Sequence, residues 1–504
     1  MGVTPSGAVF ERAYRVEAFS IKCEHLLSCF FSPFGDWWKF SSVSSFKYCT
    51  YSHLKEYQFG QKVQHKYADM AELADVIDSE FIGGNSVQVQ LLLSAFLRVP
   101  EMGFPGTFFV NVNGGHIMDY TDVIIIKGPV ETLSFFSERL AETFYTELNK
   151  NVIAWDMKKP LESRHFIENI REKAVLITFN FIGLSGESQF MAEGTDGKET
   201  SVWDYYGIKK VCIMVDHPLY YRDQLEMIND CMLYCIDRQH VDFIRRYYPG
   251  KKVDFLPLAG TSLGEGGQKR DIDVFFAGNY VNIKPLEDRI NMLDKDNREF
   301  CYSMIEDLKT NTGKGIDEVI EEHVRADIPD ITREDMLMVT NKMMVIDLYI
   351  RSYFRQKIIC NLAENGIKVH IIGKGWEKAG CKKHENLVLL GQRDSLECLR
   401  YMKRSKVSVN IMPWFKDGVH DRFFNGMAQG SVVVSDSSLY IDEIAKDGVE
   451  YLRFSLDDMQ EIPDIVNSAV HREDIAKRGH MLVCSGHLWR HRAVEIDNNL
   501  KKYH

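Results

Sequence analysis

The stretch "DVIIIKGPVETLSFFSERLAETFYTELNKNVIAWDM" (122–157) decides the fold. It opens on a β-branched apolar run, "DVIIIKG" (122–128), which predicts a strand. "SFFSERLAETFYTELNKN" (134–151) spaces its apolar residues at helical intervals, and "VIAWDM" (152–157) predicts a second strand. Strand, helix and strand in that order make a βαβ unit, the building block of parallel sheets. Further strands are expected at "AVLITFN" (174–180), "KVCIMVD" (210–216), "MLYCID" (232–237) and "KVDFLPL" (252–258). Their apolarity on both faces suits a parallel sheet covered by helices on each side.

"GTSLGEGGQKR" (260–270), polar and glycine-rich, reads as an interdomain linker. After it the alternation restarts. Strands are expected at "DVFFAG" (273–278), "KVHIIG" (368–373), "NLVLLG" (386–391), "KVSVNIM" (406–412) and "SVVVSD" (431–436). A charged, largely helical stretch at 285–365 is longer than one crossover needs and reads as an inserted helical subdomain. The fold class is therefore α/β, with two Rossmann-like domains facing a cleft, at 121–262 and 271–486. Residues 487–504 form a terminal helix, with Leu488, Ala493, Ile496 and Leu500 near one face. Residues 1–120 are aromatic-rich, fit neither domain and carry no functional reading. Open α/β sheets bind ligands outside the carboxyl ends of their strands, which is where a site is sought.

A chain of 504 residues, 45% hydrophobic and 26% charged, is globular and too long for one ordinary core. A net charge of -11 argues against nucleic acid as the main partner. No apolar run approaches the length of a membrane span. The first residues lack the basic head and apolar core of a signal peptide. Gly2 and Ser6 of "MGVTPS" fit a loose myristoylation pattern, short enough to arise by chance, so peripheral membrane contact stays open. Eleven cysteines occur without a CxxC pair, and Cys231 and Cys235 fall on one strand face. They read as buried thiols of a cytoplasmic protein, with no metal site.

After "KVSVNIM", the loop "PWFKDGV" (413–419) leads into "HDRFFNGMAQG" (420–430). Phe423, Phe424 and Met427 give a short helix an apolar face, and Gly430 closes it. Backbone N–H groups around Gly418 to Asp421 would face an anion, with His420 and Arg422 adding charge-assisted hydrogen bonds. The plain alternative makes His420 a cap residue and Arg422 a solvated one; the strand–loop–helix context favours phosphate. In "FFAGNY" (275–280), Gly278 permits a tight turn and Asn279 offers a hydrogen bond to phosphate or sugar, or merely shapes the turn. Gly373 of "IIGKGW" (371–376) and Gly391 and Gln392 of "LLGQRDSL" (389–396) are expected beside a nucleobase, unless these are simple strand-end loops. In "VDHPLYYRDQ" (215–224), Asp216 and His217 are candidate general bases at a strand's carboxyl end. An Asp–His pair that only holds the loop is the equal alternative. Tyr220, Tyr221 and Arg222 are candidates for an acceptor groove, and "DID" (271–273), at a strand's entry, is read as structural.

The segments "RFFNGMAQG" (422–430), "SVVVSD" (431–436) and "YIDEI" (440–444) resemble GT-B glycosyltransferases. That family's pattern is roughly Arg-x-Phe-Glu-Ala-Leu-Ala-Cys-Gly, an apolar strand ending in Ser-Asp or Thr-Asp, then an acidic residue. The resemblance covers about 271–500, is strongest over 405–455, and is nearest the bacterial spore-maturation glycosyltransferase-like group. "VDHPLYY" with "CIDRQHVDFIRRYYP" is similar to the first half of such proteins. The resemblance implies a nucleotide-diphosphate sugar, taken as a UDP-sugar, in the second domain, and an acceptor facing the first; the long insertion and residues 1–120 favour a protein or surface-glycan acceptor. It further implies transfer without a metal or other cofactor, and a terminal helix crossing back to the first domain. In related retaining enzymes two glutamates separated by seven residues hold the donor sugar and the ribose; here Asp417 and Asn425 stand instead. Two other readings fit the same residues, a nucleotide-sugar epimerase and a non-catalytic nucleotide- or glycan-binding protein.

Overall fold

The computed structural model describes residues 120–160, 163, 173–193, 199–264 and 269–502. The region read at 1–120, with its Gly2–Ser6 pattern, lies outside the described residues except for Tyr120. The first sheet contains β1 (Asp122–Lys127), β2 (Asn151–Asp156), β3 (Ala174–Phe179), β6 (Lys209–Met214), β7 (Cys231–Cys235) and β8 (Lys252–Phe255). A short hairpin of β4 (Met191–Glu193) and β5 (Glu199–Ser201) interrupts the series. The six strands run in the order β2-β1-β3-β6-β7-β8, all parallel. Every residue of β3 and β7 is buried, as expected of strands covered on both faces.

The second sheet contains β9 (Ile272–Ala277), β10 (Val369–Ile372), β11 (Leu387–Leu389), β12 (Ser405–Asn410), β13 (Val432–Ser435) and β14 (Leu452–Arg453). Its order is β11-β10-β9-β12-β13-β14, again all parallel. The chain winds outward from β9 in one direction and returns to β12 for the other. The boundary between β9 and β12 is therefore the switch point of a doubly wound sheet, where a crevice opens at the carboxyl ends. The Asp271 and Asp273 side chains sit at the opposite end, paired with Arg404 and Lys406, each at 2.6 Å.

Helix α1 (Glu131–Thr146) follows β1 and ends earlier than the apolar spacing suggested. Asn149 takes a left-handed φ of 51° and turns the chain into β2. Helix α2 (Arg238–Tyr247) follows β7. The insertion is four helices, α3 (Lys284–Asn291), α4 (Lys295–Thr310), α5 (Ile316–Asp327) and α6 (Arg333–Lys342). They precede α7 (Met344–Glu364), which is the crossover into β10. Helices α8 (Ser395–Arg404), α9 (Asp421–Ala428), α10 (Glu473–Gly486) and α11 (Trp489–Leu500) complete the elements used below.

Two hydrophobic clusters each draw on both sheets. One gathers Cys212 and Leu233 with Val274 and Phe276 and with the insertion's Met304, Val319 and Met336. The other joins α1 and the first sheet to Phe423, Phe424 and Met427 of α9 and to α11. Helix α11 returns to the first half: Trp489 packs on Phe136, ring centroids 4.9 Å apart, and Arg492 donates to the Pro257 carbonyl at 2.8 Å. Tyr120 Oη donates to Asp497 Oδ1 at 2.5 Å.

One expectation, on the cysteines, is corrected. The segment read as a linker lies between the two sheets, and its start is bonded to the second half. Gly260 donates to the His487 carbonyl at 2.8 Å, and Thr261 and Leu263 donate to Asn425 and Gln429 of the second half. The cysteines are not all thiols, since Cys360 in α7 and Cys381 form a disulfide with Cα atoms 5.0 Å apart. Cys231 and Cys235 do lie on one buried face of β7 as free thiols.

Candidate functional site

Three arginines gather beside the carboxyl ends of β9 and β12 and the loops that follow them. Arg422, in the first turn of α9, is only 7% exposed. Its Nε donates to Asn410 Oδ1 at 3.2 Å and Nη2 to the Ile411 carbonyl at 2.9 Å, both at the end of β12. Its Nη1 faces the turn after β9, 3.4 Å from where a Cβ on Gly278 would lie. Burial pushes the guanidinium down to about 10, against the pull of Asp421 and Asp436. Arg355 comes from α7, and its Nη1 donates to the Asn279 carbonyl at 2.8 Å. Its Nε is buried and lacks a hydrogen-bond partner. Burial, and then the charges of Arg422 and Arg351, hold its pKa well below the ordinary arginine value.

Arg351 lies one helical turn before Arg355, on the same face of α7. Its Nε sits 2.6 Å from Asp347 and its Nη1 3.7 Å from Asp216. Both guanidiniums stack on Trp414, at 4.5 and 4.9 Å from the ring centroid. The sequence reading missed Arg351, Arg355 and Trp414. Two arginines four apart in a charged helical stretch look like a solvated face until the helix is laid against the crevice.

The other expected donor-side residues divide. The turns after β9 and β10 are laced together. Gly278 N donates to the Ile372 carbonyl at 2.8 Å, Lys374 N donates to Asn279 Oδ1 at 2.8 Å, and Trp376 Nε1 donates to the Gly278 carbonyl at 2.7 Å. Gly373, at φ 153°, passes so close that a Cβ would lie 2.1 Å from the Gly278 oxygen. Gly373 N also donates to the Gly391 carbonyl at 3.0 Å, so the three glycines share one edge of the crevice. Gly391 and Gln392 are exposed, with open space around the Gly391 Cα.

His420 caps α9, its Nδ1 accepting from Arg422 N at 3.3 Å, with Asp421 Oδ1 2.5 Å away. Burial and the Arg422 charge push its pKa to about 4, despite Asp421, so it is neutral near pH 7.

Gly418 and Asp417 point elsewhere than expected. The Lys416 and Asp417 backbone N–H groups do meet an anion, but it is Asp237 Oδ2, at 2.9 and 3.0 Å. Gly418 packs on the first half, where a Cβ would lie 2.3 Å from the Ile236 oxygen. The Asp417 carboxylate pairs with Arg238 at 3.2 Å. Asn425 spends both ends of its amide, accepting from Thr261 N at 2.9 Å and donating to Asp421 Oδ2 at 2.9 Å. The first of these bonds ties α9 to the linker.

On the first half, Asp216 and His217 separate. His217 is 4% exposed. Its Nδ1 accepts from Leu219 N at 3.0 Å, and its Nε2 lies 3.4 Å from Asp317 of α5. Its ring packs against His240, centroids 4.4 Å apart, beneath the inserted helices. Such enclosure suits the loop-holding alternative. The Asp216 side chain is 41% exposed and turned towards Arg351. Asn180, in a left-handed conformation at φ 48°, steadies it with a 3.0 Å bond from Nδ2 to Asp216 Oδ2. Tyr221 Oη also approaches Asp216 at 3.4 Å, whereas Arg222 pairs at the surface with Glu226 at 3.0 Å. Among the described residues no cluster of three His, Cys, Asp or Glu residues is arranged to hold a metal. Among the same residues no helix is long and apolar enough to cross a membrane.

The sequence model of a family described as glycosyl transferase-like matches residues 351–498, beginning at Arg351. No curated protein matches the chain. Similar solved structures include sucrose-phosphate synthase from Thermosynechococcus elongatus, at 9% identity and a TM-score of 0.42, covering 76% of this chain and 98% of that one. Anabaena HepE in complex with UDP-glucose is similar at 10% identity and a TM-score of 0.43, over 76% and 98% of the two chains. TarM is similar at 11% identity and a TM-score of 0.37, over 66% of this chain and only 55% of its own length. The matched stretch, residues 351–498, carries Arg351, Arg355, Trp414 and Arg422 and is similar to that glycosyl transferase-like family.

Proposed function

We propose that this chain transfers a sugar from a nucleoside-diphosphate sugar, with uridine as the base, to a protein or glycan acceptor. The observation that carries the reading is the arginine cluster at the β9/β12 switch point. Arg355 has no carboxylate ion partner among the described residues and a buried Nε without a bond. Mutually repelling guanidiniums in a crevice call for an anion, and planar guanidinium forks suit phosphate oxygens.

In this reading Arg355 and Arg422 hold the diphosphate between the Gly278 turn and the start of α9. The base lies along the open Gly391–Gln392 edge. When the bond from the anomeric carbon to the diphosphate oxygen breaks, negative charge grows on that oxygen. Fixed guanidiniums stabilise it without reorganising, so we read the transfer as metal-independent. Asp216, the exposed carboxylate on the opposite wall, accepts the acceptor hydroxyl's proton. His217, enclosed beneath α5, positions the loop that bears Asp216.

The test is a thermal-shift screen with uridine, guanosine, adenosine and thymidine diphosphates, followed by transfer assays with and without EDTA. A bound nucleoside diphosphate at a hundred times its Kd stabilises by about 2.7 kcal/mol. No shift with any of the four sinks the reading, and loss of transfer in EDTA sinks its metal-independent part.

A further inference from the structure

Asp237 follows β7 in the first half and is 1% exposed. Its Oδ1 accepts from Gln239 N at 2.8 Å and so caps α2. Its Oδ2 accepts two more N–H groups, Lys416 at 2.9 Å and Asp417 at 3.0 Å, both in the loop after β12. The strands of contact continue on either side. Arg238 N donates to the Asp417 carbonyl at 3.1 Å, and Gly418 has no room for a side chain against Ile236. Lys416 Nζ donates to the carbonyls of Thr312 and Pro413, at 2.5 and 2.6 Å, and Ser438 Oγ to that of Gly418 at 2.6 Å.

This loop does two things for the arginine cluster. It carries Trp414, on which Arg351 and Arg355 stack, and it ends on His420, the cap of the helix that bears Arg422. We propose that Asp237 is a positioning residue for the diphosphate subsite: its carboxylate, from the first half, fixes the loop that sets Arg355 and Arg422 at their working separation. The inference rests on the donor reading above and adds that the donor subsite is completed by the opposite half. A carboxylate is required rather than an amide. Three N–H groups approach from two sides, and an amide's one oxygen could serve either the loop pair or the Gln239 N–H while its nitrogen faced the other.

The test is calorimetric titration of UDP into the full chain and into Asp237→Asn, Asp237→Ser and Arg238→Ala. Serine keeps the cap on α2 but is too short to reach the loop, so it separates the two tasks of Asp237. Asp237→Ser is expected to bind UDP about tenfold weaker or worse, the scale of losing charge-assisted bonds, and Asp237→Asn to lose no more than that. Arg238→Ala removes the partly exposed pairs to Asp417 and Glu443 and the stacking on Phe255 and Tyr440, leaves Asp237 and its three bonds in place, and should stay within about twofold. In transfer assays the donor KM rises in the Asp237 variants while the acceptor KM holds; a merely structural role would lower the melting temperature and leave the donor KM alone. Hydrogen exchange on the unchanged chain needs no variant: the Lys416 and Asp417 amides should be protected before UDP is added. Wild-type UDP affinity in the Asp237 variants, or fast exchange at both amides, overturns the inference. Absence of UDP binding by the unchanged chain instead overturns the donor reading beneath it.

Discussion

Replacing Arg355 with methionine separates a ligand-holding arginine from a structural one. In the unliganded chain Arg355 contributes one bond to the Asn279 carbonyl at 2.8 Å and a stack on Trp414 at 4.9 Å. Losing them costs about 1–2 kcal/mol. Against that stand its burial and its repulsion by Arg422 and Arg351, which together hold its pKa far below the usual value. Methionine keeps most of the apolar stem and fits irregular space. Unliganded stability should therefore change by no more than about 1 kcal/mol in either direction. Binding is different. A charge-assisted bond to phosphate is worth about 1.5–3 kcal/mol, so UDP affinity should fall roughly 10- to 150-fold. At a UDP concentration that stabilises the unchanged chain by about 2.7 kcal/mol, a variant thirtyfold weaker gains only about 0.9 kcal/mol. Denaturant melts with and without UDP read both quantities. An undiminished UDP effect, or an unliganded chain several kcal/mol less stable, would refute the assignment.

Asp216→Asn should lower transfer by about 10²- to 10⁴-fold, the scale of a lost general base, while UDP affinity stays unchanged; full transfer activity would remove Asp216 from the mechanism. Reducing the disulfide between Cys360 and Cys381, or Cys360→Ser, should destabilise the chain by about 3 kcal/mol for its sequence separation of 21, checked by melts with and without a dithiol. For His420 the folded pKa of about 4 lies below the ordinary 6.5. Between those values the unfolded chain binds more protons, so the contribution is intact above pH 6.5 and lost as pH falls towards 4. His420→Asn, which retains a capping side chain, should flatten that acid-side loss, and an unchanged stability–pH curve would contradict the burial assigned to His420.

The strands were legible because parallel strands are apolar on both faces, so their runs stand out between helical stretches. β14 escaped because two residues, Leu452 and Arg453, make no pattern, and the hairpin of β4 and β5 because its strands are three residues each. The carboxyl-end location was legible from the alternation of strands and helices and from glycine-bearing turns, and Arg422's place at a helix start from the strand–loop–helix around it; the strand order that marks the switch point was not. Nor was what lined the other wall of the crevice. Arg351 and Arg355 belong to a helix whose partner surface only the fold supplies, and Cys360 meets Cys381 by the same route. Asn425 and Asp417 occupy the places of a familiar motif, yet their side chains serve Thr261 and Arg238. Motif position indicates where a residue stands on the backbone; the partner depends on neighbours distant in sequence, here the linker and the first half. Asp237 was invisible for that reason, since nothing local marks a helix-capping aspartate as the acceptor for a loop 179 residues away.

The central claim is that the arginines at the β9/β12 switch point hold a nucleoside diphosphate. A structure of the chain with UDP tests it most directly. The account predicts both phosphates in the crevice, within hydrogen-bond distance of Arg355 and Arg422, with the uracil along Gly391 and Gln392. A nucleotide bound elsewhere, with both arginines left in their present bonds, would contradict it.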